Sequence, residues 1–86
     1  MLPVDVNPHE LNAAAEVLAK LNIGYSSANE AKKLIKSTIK EFSQTANHFK
    51  MDGFSLNFFK SKCGEGIHCR ISIDVYSVLK YIEARQ

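Results

Sequence analysis

The side chains best suited to metal or redox chemistry in this chain are its two cysteines and three histidines. Cys63 and Cys69 are separated by five residues, whereas ligand pairs in structural zinc sites are usually separated by about two to four. His68 and Cys69 are adjacent within an alternating pattern, so in a strand their side chains point to opposite faces. We therefore expect no metal site, no cofactor and two free thiols.

The residue pattern gives little support for catalysis. The acids are scattered, without a close carboxylate pair or a nucleophile signature. His68 could serve as general base in metal-free RNA cleavage beside Lys60, Lys62 and Arg70. A lone exposed histidine is, however, far more often a surface residue. We therefore expect a protein that is not an enzyme.

The charges are distributed unevenly along the chain. Residues 1–31 carry four acids against one lysine (net −3), residues 32–62 seven lysines against two acids (net +5), and residues 63–86 are balanced. Lys33, Lys36 and Lys40 recur at helical spacing opposite an apolar stripe, and we call them the lysine ridge. With the outward-facing residues of a hairpin described below, the candidate binding residues are Lys33, Lys36, Lys40, Asn57, Phe59, Lys60, Lys62, His68 and Arg70.

Two functions are compatible with this set of residues. Cations beside an exposed aromatic ring can bind phosphates and stack on a base, as on a DNA- or RNA-binding surface. However, surface lysines also serve solubility, the pI of 8.6 is low for a nucleic-acid domain, and arginine occurs only twice. We favour a regulatory or inhibitory module that docks onto a larger protein partner through its hairpin face and edge, with nucleic-acid binding as the alternative.

Length and composition fit one α+β domain over residues 1–86. The chain is 45% hydrophobic and 23% charged with a net charge of +2, which is too apolar and too weakly charged for a disordered chain. There is no apolar run of about 18 residues, so no membrane span is expected. Pro3 and Asp5 interrupt the start, which is unlike a signal peptide. We expect a cytoplasmic protein without a membrane partner.

Two helices are predicted in the first half of the chain. Asn7 can cap the first, with Pro8 at its first position and Glu10 reaching back to the cap N–H. Gly24 is expected to end it. The segment Ser27-Ala28-Asn29-Glu30 is a capping box, and helical spacing of apolar residues continues from Ala31 to Phe49. The second helix is therefore expected from about Ala28 to Phe49.

The hydrophobic period changes from 3.6 to 2 after Gly53, which predicts an antiparallel hairpin around the glycine-rich segment 63–66. A two-residue turn at Gly64-Glu65 places Phe59 beside Arg70 on the outer face, and Ser61 beside His68. The same register forms the pairs Lys62–Ile67, Phe58–Ile71, Leu56–Ile73 and Phe54–Val75. A register shifted by two residues keeps the same faces but leaves Phe54 unpaired, so the first register is preferred.

A last helix is expected after Asp74 as its cap, with a buried stripe of Val75, Val78, Leu79 and Ile82. Residues 2–6 can form a short edge strand, which Pro3 weakens. The expected order is therefore (β)-α-α-β-β-α, with a helical hairpin packed on an antiparallel β-hairpin and a C-terminal helix. Open hairpin edges would also allow a homodimer by edge pairing.

Overall fold

A computed structural model describes residues 3–21, 27–51, 53–60 and 66–85 of the chain. It confirms the α+β class, with three helices and a four-stranded mixed sheet, and adds one strand to the expected order. The elements in chain order are β1 (Val4–Val6), α1 (Pro8–Lys20), α2 (Ala28–Phe42), β2 (His48–Met51), β3 (Phe54–Lys60), β4 (Ile67–Ile73) and α3 (Val75–Arg85).

The sheet has the strand order β1-β4-β3-β2, with β1 parallel to β4 and the other neighbours antiparallel. Along β3 and β4 every second side chain is buried, because one face of the sheet lies against α1 and α2. The two helices also pack on each other, and each contributes a small buried residue to the core, Ala15 from α1 and Ala31 from α2. The buried core residues are Leu11, Ala14, Ala15, Leu18, Ala31, Ile35, Ile39, Phe54, Leu56, Phe58, Ile67, Cys69 and Ile71.

The start of α1 is as expected except for one side chain. Asn7 Oδ1 accepts hydrogen bonds from the backbone N–H groups of His9 at 2.9 Å and Glu10 at 3.4 Å, and Pro8 occupies the first turn. The carboxylate of Glu10 does not return to the cap. It contacts β4 instead, where it accepts a hydrogen bond from the N–H of Ile71. The expected end at Gly24 lies outside the described residues.

The second helix is shorter than the apolar spacing predicts. Ser27 caps it, with Oγ accepting from the N–H of Glu30 at 3.2 Å, but α2 ends at Phe42 and not at Phe49. The chain then turns and returns along β3 as β2. Phe49 would face the core in the predicted helix, and it also packs against the core in the observed strand. There its ring stacks on Phe42 at a centroid distance of 4.4 Å. Strand pairing with β3 therefore replaces the last helical turns.

β2 and β3 form a second hairpin that the sequence reading missed. Met51 pairs with Phe54, so two residues of the sequence separate the paired strands. Gly53 has a φ of +99°, a conformation that glycine adopts without a Cβ penalty. Aspartate-glycine between apolar residues is a strong hairpin signal, and it was outweighed in the prediction by the long helical stripe upstream.

The predicted register of the β3–β4 hairpin is wrong by two residues. Phe54 pairs with Ile73 and Phe58 with Cys69, so that Phe59 lies opposite His68. The reason is the cap of α3. Asp74 accepts backbone hydrogen bonds from Ser77 at Oδ1 and from Val78 at its carbonyl, so β4 has to end at Ile73. The predicted turn residues, with the pairings of Ser61 and Lys62, lie outside the described residues.

The third helix begins after Asp74 as predicted, but most of its predicted stripe is exposed. Only Val78 of that stripe packs against the core, together with Tyr81. Val75, Leu79 and Ile82 face solvent. The described residues extend over 48 × 22 × 19 Å. None of the helices in the described part of the chain is long and apolar enough to cross a membrane.

Candidate interaction surfaces

Within the part of the chain that the structure describes, no helix covers one face of the sheet, and we call it the bare face. Its residues alternate with the buried ones along each strand and are exposed or half-buried. Strand pairing places them in rows across the sheet, because directly paired residues share a face. The bare face consists of Asp5, His48, Lys50, Ser55, Asn57, Phe59, His68, Arg70 and Ser72.

Phe59 is the one large apolar residue of the bare face, and it lies in an end row of that face, beyond the last residue paired with β2. It lies on β3, one of the two inner strands, and 53% of its surface is exposed. His68 is its cross-strand partner, and Asn57 pairs with Arg70 in the neighbouring row. The structure thus brings four of the predicted site residues together, and Lys60 follows Phe59 at the end of the same strand.

Arg70, His68 and Lys50 on the bare face each lie beside an acidic side chain. Arg70 Nε lies 3.5 Å from Glu10 Oε2, and His68 Nδ1 lies 3.5 Å from Asp5 Oδ2. Lys50 Nζ lies 3.4 Å from Asp74 Oδ2.

His48 is also engaged, with Nδ1 at 2.8 Å from the amide oxygen of Asn57. The ion pairs of Lys50 and Arg70 cancel charge locally. The bare face is therefore a mainly polar surface with one aromatic ring, Phe59, in an end row.

The lysine ridge does not belong to this surface. Lys33, Lys36 and Lys40 are exposed on α2, and they point away from the buried side of the helix that packs toward the sheet. The helical layer therefore separates the ridge from the bare face. The sequence analysis grouped the ridge and the outer hairpin residues in one candidate set, and in the structure they lie on two separate surfaces. Lys62 lies outside the described residues.

A third surface, on α3, was missed because its residues were assigned to the core. Val75, Tyr76 and Leu79 are each more than half exposed, and Ile82 is 37% exposed. Lys80 Nζ lies 5.5 Å from the centre of the Tyr76 ring. The apolar side chains of α3 also include Val78 and Tyr81, which pack against the core. Together they cover a wider arc of the helix than the part that packs against the rest of the protein. That width is the signal in the sequence that indicates an open face.

A groove of about 370 Å³ lies between β1 and the C-terminal half of α2. Ile39, which is buried, and the half-buried Val4 provide apolar lining. Lys36 and Lys40, two members of the ridge, also line it. The described residues that line it are Pro3, Val4, Lys36, Ile39, Lys40, Ser43 and Gln44.

Reactive and metal-binding groups are sparse in the described part of the chain. It contains no group of three or more histidine, cysteine or acidic side chains able to hold a metal ion. Cys69 is a free, fully buried thiol. Its burial, and the negative charge of Glu10, raise the pKa of Cys69 to about 11, so it is protonated at neutral pH and a poor nucleophile. The chain matches no family model, no curated protein and no solved structure.

Proposed function

We propose that this chain is a small, non-catalytic module of the cytoplasm that docks onto a larger protein through the bare face of its sheet. The observation that carries the proposal is Phe59, the one large apolar residue of the bare face, half exposed on a surface where Lys50 and Arg70 are each paired with an acid. Interface cores are depleted in charged residues and enriched in aromatic ones. The buried, unpaired thiol of Cys69 fits a reducing compartment.

The proposed contact uses Phe59 as the anchor and its neighbours as a polar rim. An aromatic side chain that enters a pocket of the partner can account for much of the binding energy. Asn57, His68 and Arg70 lie next to it on the bare face, and their side chains can take part in hydrogen bonds at the rim. Pairing through the edges of the β3–β4 hairpin is not part of the proposal, because β1 and β2 occupy those edges.

Nucleic-acid binding is the second candidate, and one observation favours it. No ion pair involves Lys33, Lys36 or Lys40 within the described residues, so these cations are available for phosphates. However, the exposed aromatic ring that would stack on a base lies on the other layer of the fold. A ridge without that ring predicts weak, sequence-independent binding only.

The test compares three variants with the wild type in affinity capture, followed by calorimetry on the purified partner. Phe59→Ser should weaken binding by roughly 30-fold, about 2 kcal/mol. Val17→Ser, which removes another exposed apolar residue from α1, should leave binding within about twofold, because it lies outside the proposed anchor. The double change Lys36→Glu with Lys40→Glu should also leave it unchanged. Equal loss in all variants would contradict the proposed anchor.

An NMR titration with single-stranded and duplex oligonucleotides separates the two candidates. For a protein-docking module, we expect no shift of the amides of residues 57–60 and 68–70, even at low salt. Shifts at those residues that weaken steeply with added salt would assign the bare face to nucleic acid. Shifts confined to residues 33–40 would identify the ridge as a separate electrostatic site.

A further inference from the structure

We propose that the groove between β1 and α2 binds an extended acidic peptide, which adds to the sheet as a strand beside β1. This inference goes beyond the docking function of the bare face and does not depend on it, because the groove lies on the helical side of the sheet. The occupant is a partner segment with glutamate or aspartate at alternating positions. The inference depends on the free edge of β1, the lining of the groove and its charge.

The first support is the free edge of β1. β1 is an end strand of the sheet and pairs with β4 on one side only. The N–H of Ile67 donates to the carbonyl of Pro3 at 2.9 Å, so Pro3 faces β4. Successive residues of a strand direct their main-chain groups to alternating sides, and those of Val4 therefore face the open edge. Such an edge is a template for an added strand.

The second support is the spacing of the two lysines that line the groove. Lys36 and Lys40 are four residues apart on α2, which corresponds to about 6 Å along the helix axis. Alternate side chains on one face of a strand are about 6.6 Å apart. Two acidic side chains at alternating positions of an added strand can therefore reach both lysines. Their methylene groups would contact Val4 and Ile39, which also line the groove.

The third support is the charge of the groove. Neither lysine has an ion-pair partner within the described residues, and none of the described residues that line the groove is acidic. An acidic occupant would supply the missing charge. The described part of the lining also contains no aromatic side chain on which a base could stack, and a nucleic acid cannot continue the hydrogen-bond ladder of β1. These features favour a peptide over a single-stranded nucleic acid.

The test is an NMR titration of the full chain with short capped peptides. The probe alternates glutamate with threonine. In one control peptide glutamine replaces glutamate, and in the other alternate backbone nitrogens are methylated, which removes donors to the ladder without changing the charge. We expect the probe to shift the amides of residues 4–6 and 36–44. Each control peptide should bind at least about tenfold more weakly.

Protein variants test the same groove from the other side. The double change Lys36→Glu with Lys40→Glu should weaken the probe at least about tenfold. Lys33→Glu is the matched control, because Lys33 lies on the same helix but does not line the groove, and it should change the affinity by less than about twofold. Circular dichroism checks that each variant is folded.

Four results would overturn the proposal. The first is no binding of the probe at millimolar concentration, and the second is equal binding of the glutamine or N-methylated peptide. The third is tighter binding of a short oligothymidylate at the same residues, which would make the groove a phosphate site. The fourth is self-association of the chain that is lost in the double variant, which would make a second copy the occupant.

Discussion

The carboxylate of Glu10, in the first turn of α1, accepts a hydrogen bond from the backbone N–H of Ile71 in β4. β1 pairs with β4 only as far as Cys69, so Ile71 lies where the edge of β4 has lost its neighbouring strand. The other carboxylate oxygen lies 3.5 Å from Arg70 Nε. Glu10 thus takes the place of a strand at this part of the edge and joins α1 to the sheet.

We predict that Glu10→Ala lowers the free energy of unfolding by about 1–3 kcal/mol, because it leaves a buried N–H without an acceptor. Glu10→Gln keeps an oxygen acceptor and should cost less. Glu16→Ala, at an exposed position of the same helix, should stay within about 0.5 kcal/mol of the wild type. Urea unfolding followed by circular dichroism measures all three. Equal midpoints for Glu10→Ala and Glu16→Ala would show that the contact with Ile71 is not stabilising.

We predict that Asp74 makes the free energy of unfolding depend on pH in the acidic range. Burial acts to raise the pKa of Asp74, but hydrogen bonds from Ser77 and the bond and charge of Lys50 outweigh it, so the pKa lies below its ordinary value of 3.8. A carboxyl whose pKa is depressed by folding stabilises the fold above its unfolded pKa. This contribution is fully present at neutral pH and is lost as the pH falls through the folded-state value.

Urea unfolding at several pH values tests this dependence. In Asp74→Asn the part of the pH dependence below about 4 that belongs to this group should disappear. Lys50→Met removes the charge but keeps both Ser77 bonds, so its pH dependence should be intermediate. An unchanged acid slope in Asp74→Asn would assign the acid sensitivity to other groups.

Two neighbouring phenylalanines of β3 should differ sharply in their effect on stability. Phe58 is buried in the core and Phe59 is half exposed on the bare face. Phe58→Ala should lower the free energy of unfolding by about 3–5 kcal/mol, and Phe59→Ala by less than about 1 kcal/mol. Thermal or urea unfolding measures both. Equal losses would show that Phe59 is covered in solution.

Cys69 should react with thiol reagents only when the protein opens. In a Cys63→Ser background it is the only thiol, and its pKa of about 11 lowers the thiolate fraction at pH 8. We expect disulfide-exchange labelling of the native protein to be at least about 100-fold slower than labelling of the protein unfolded in concentrated urea. Both the raised pKa of the thiol and its burial contribute to this difference. Similar rates in both conditions would mean that the thiol is accessible in the folded state.

Local signals predicted the starts of the helices well. Asn7 and Ser27 bind the backbone N–H groups that a cap has to satisfy, and Asp74 does the same for α3. Each of these interactions joins residues within three positions of one another, so a short stretch of sequence contains both partners. The predicted end of α2 was wrong because the apolar residues after Phe42 fit both a helical and an extended pattern. Only the pairing of this segment with β3 decides between the two.

The candidate sites were predicted in part. Alternation along β3 and β4 correctly placed Asn57, Phe59, His68 and Arg70 on one face. Their pairing was wrong by two residues, because a two-residue shift leaves every side chain on the same face. The open apolar face of α3 and the groove beside β1 depend on which elements become neighbours, and hydrophobic periodicity does not contain that information.

The sequence by itself determined the secondary-structure class of most segments, the caps and the apolar side of each element, since these depend on neighbours within a few residues. The tertiary structure decided the sheet order, the register and the separation of the lysine ridge from Phe59. It also decided that Glu10 binds Ile71, 61 positions along the chain, and not its own cap. Such choices depend on competition between distant partners for the same hydrogen bonds and the same core, and that competition is resolved only when the chain is folded.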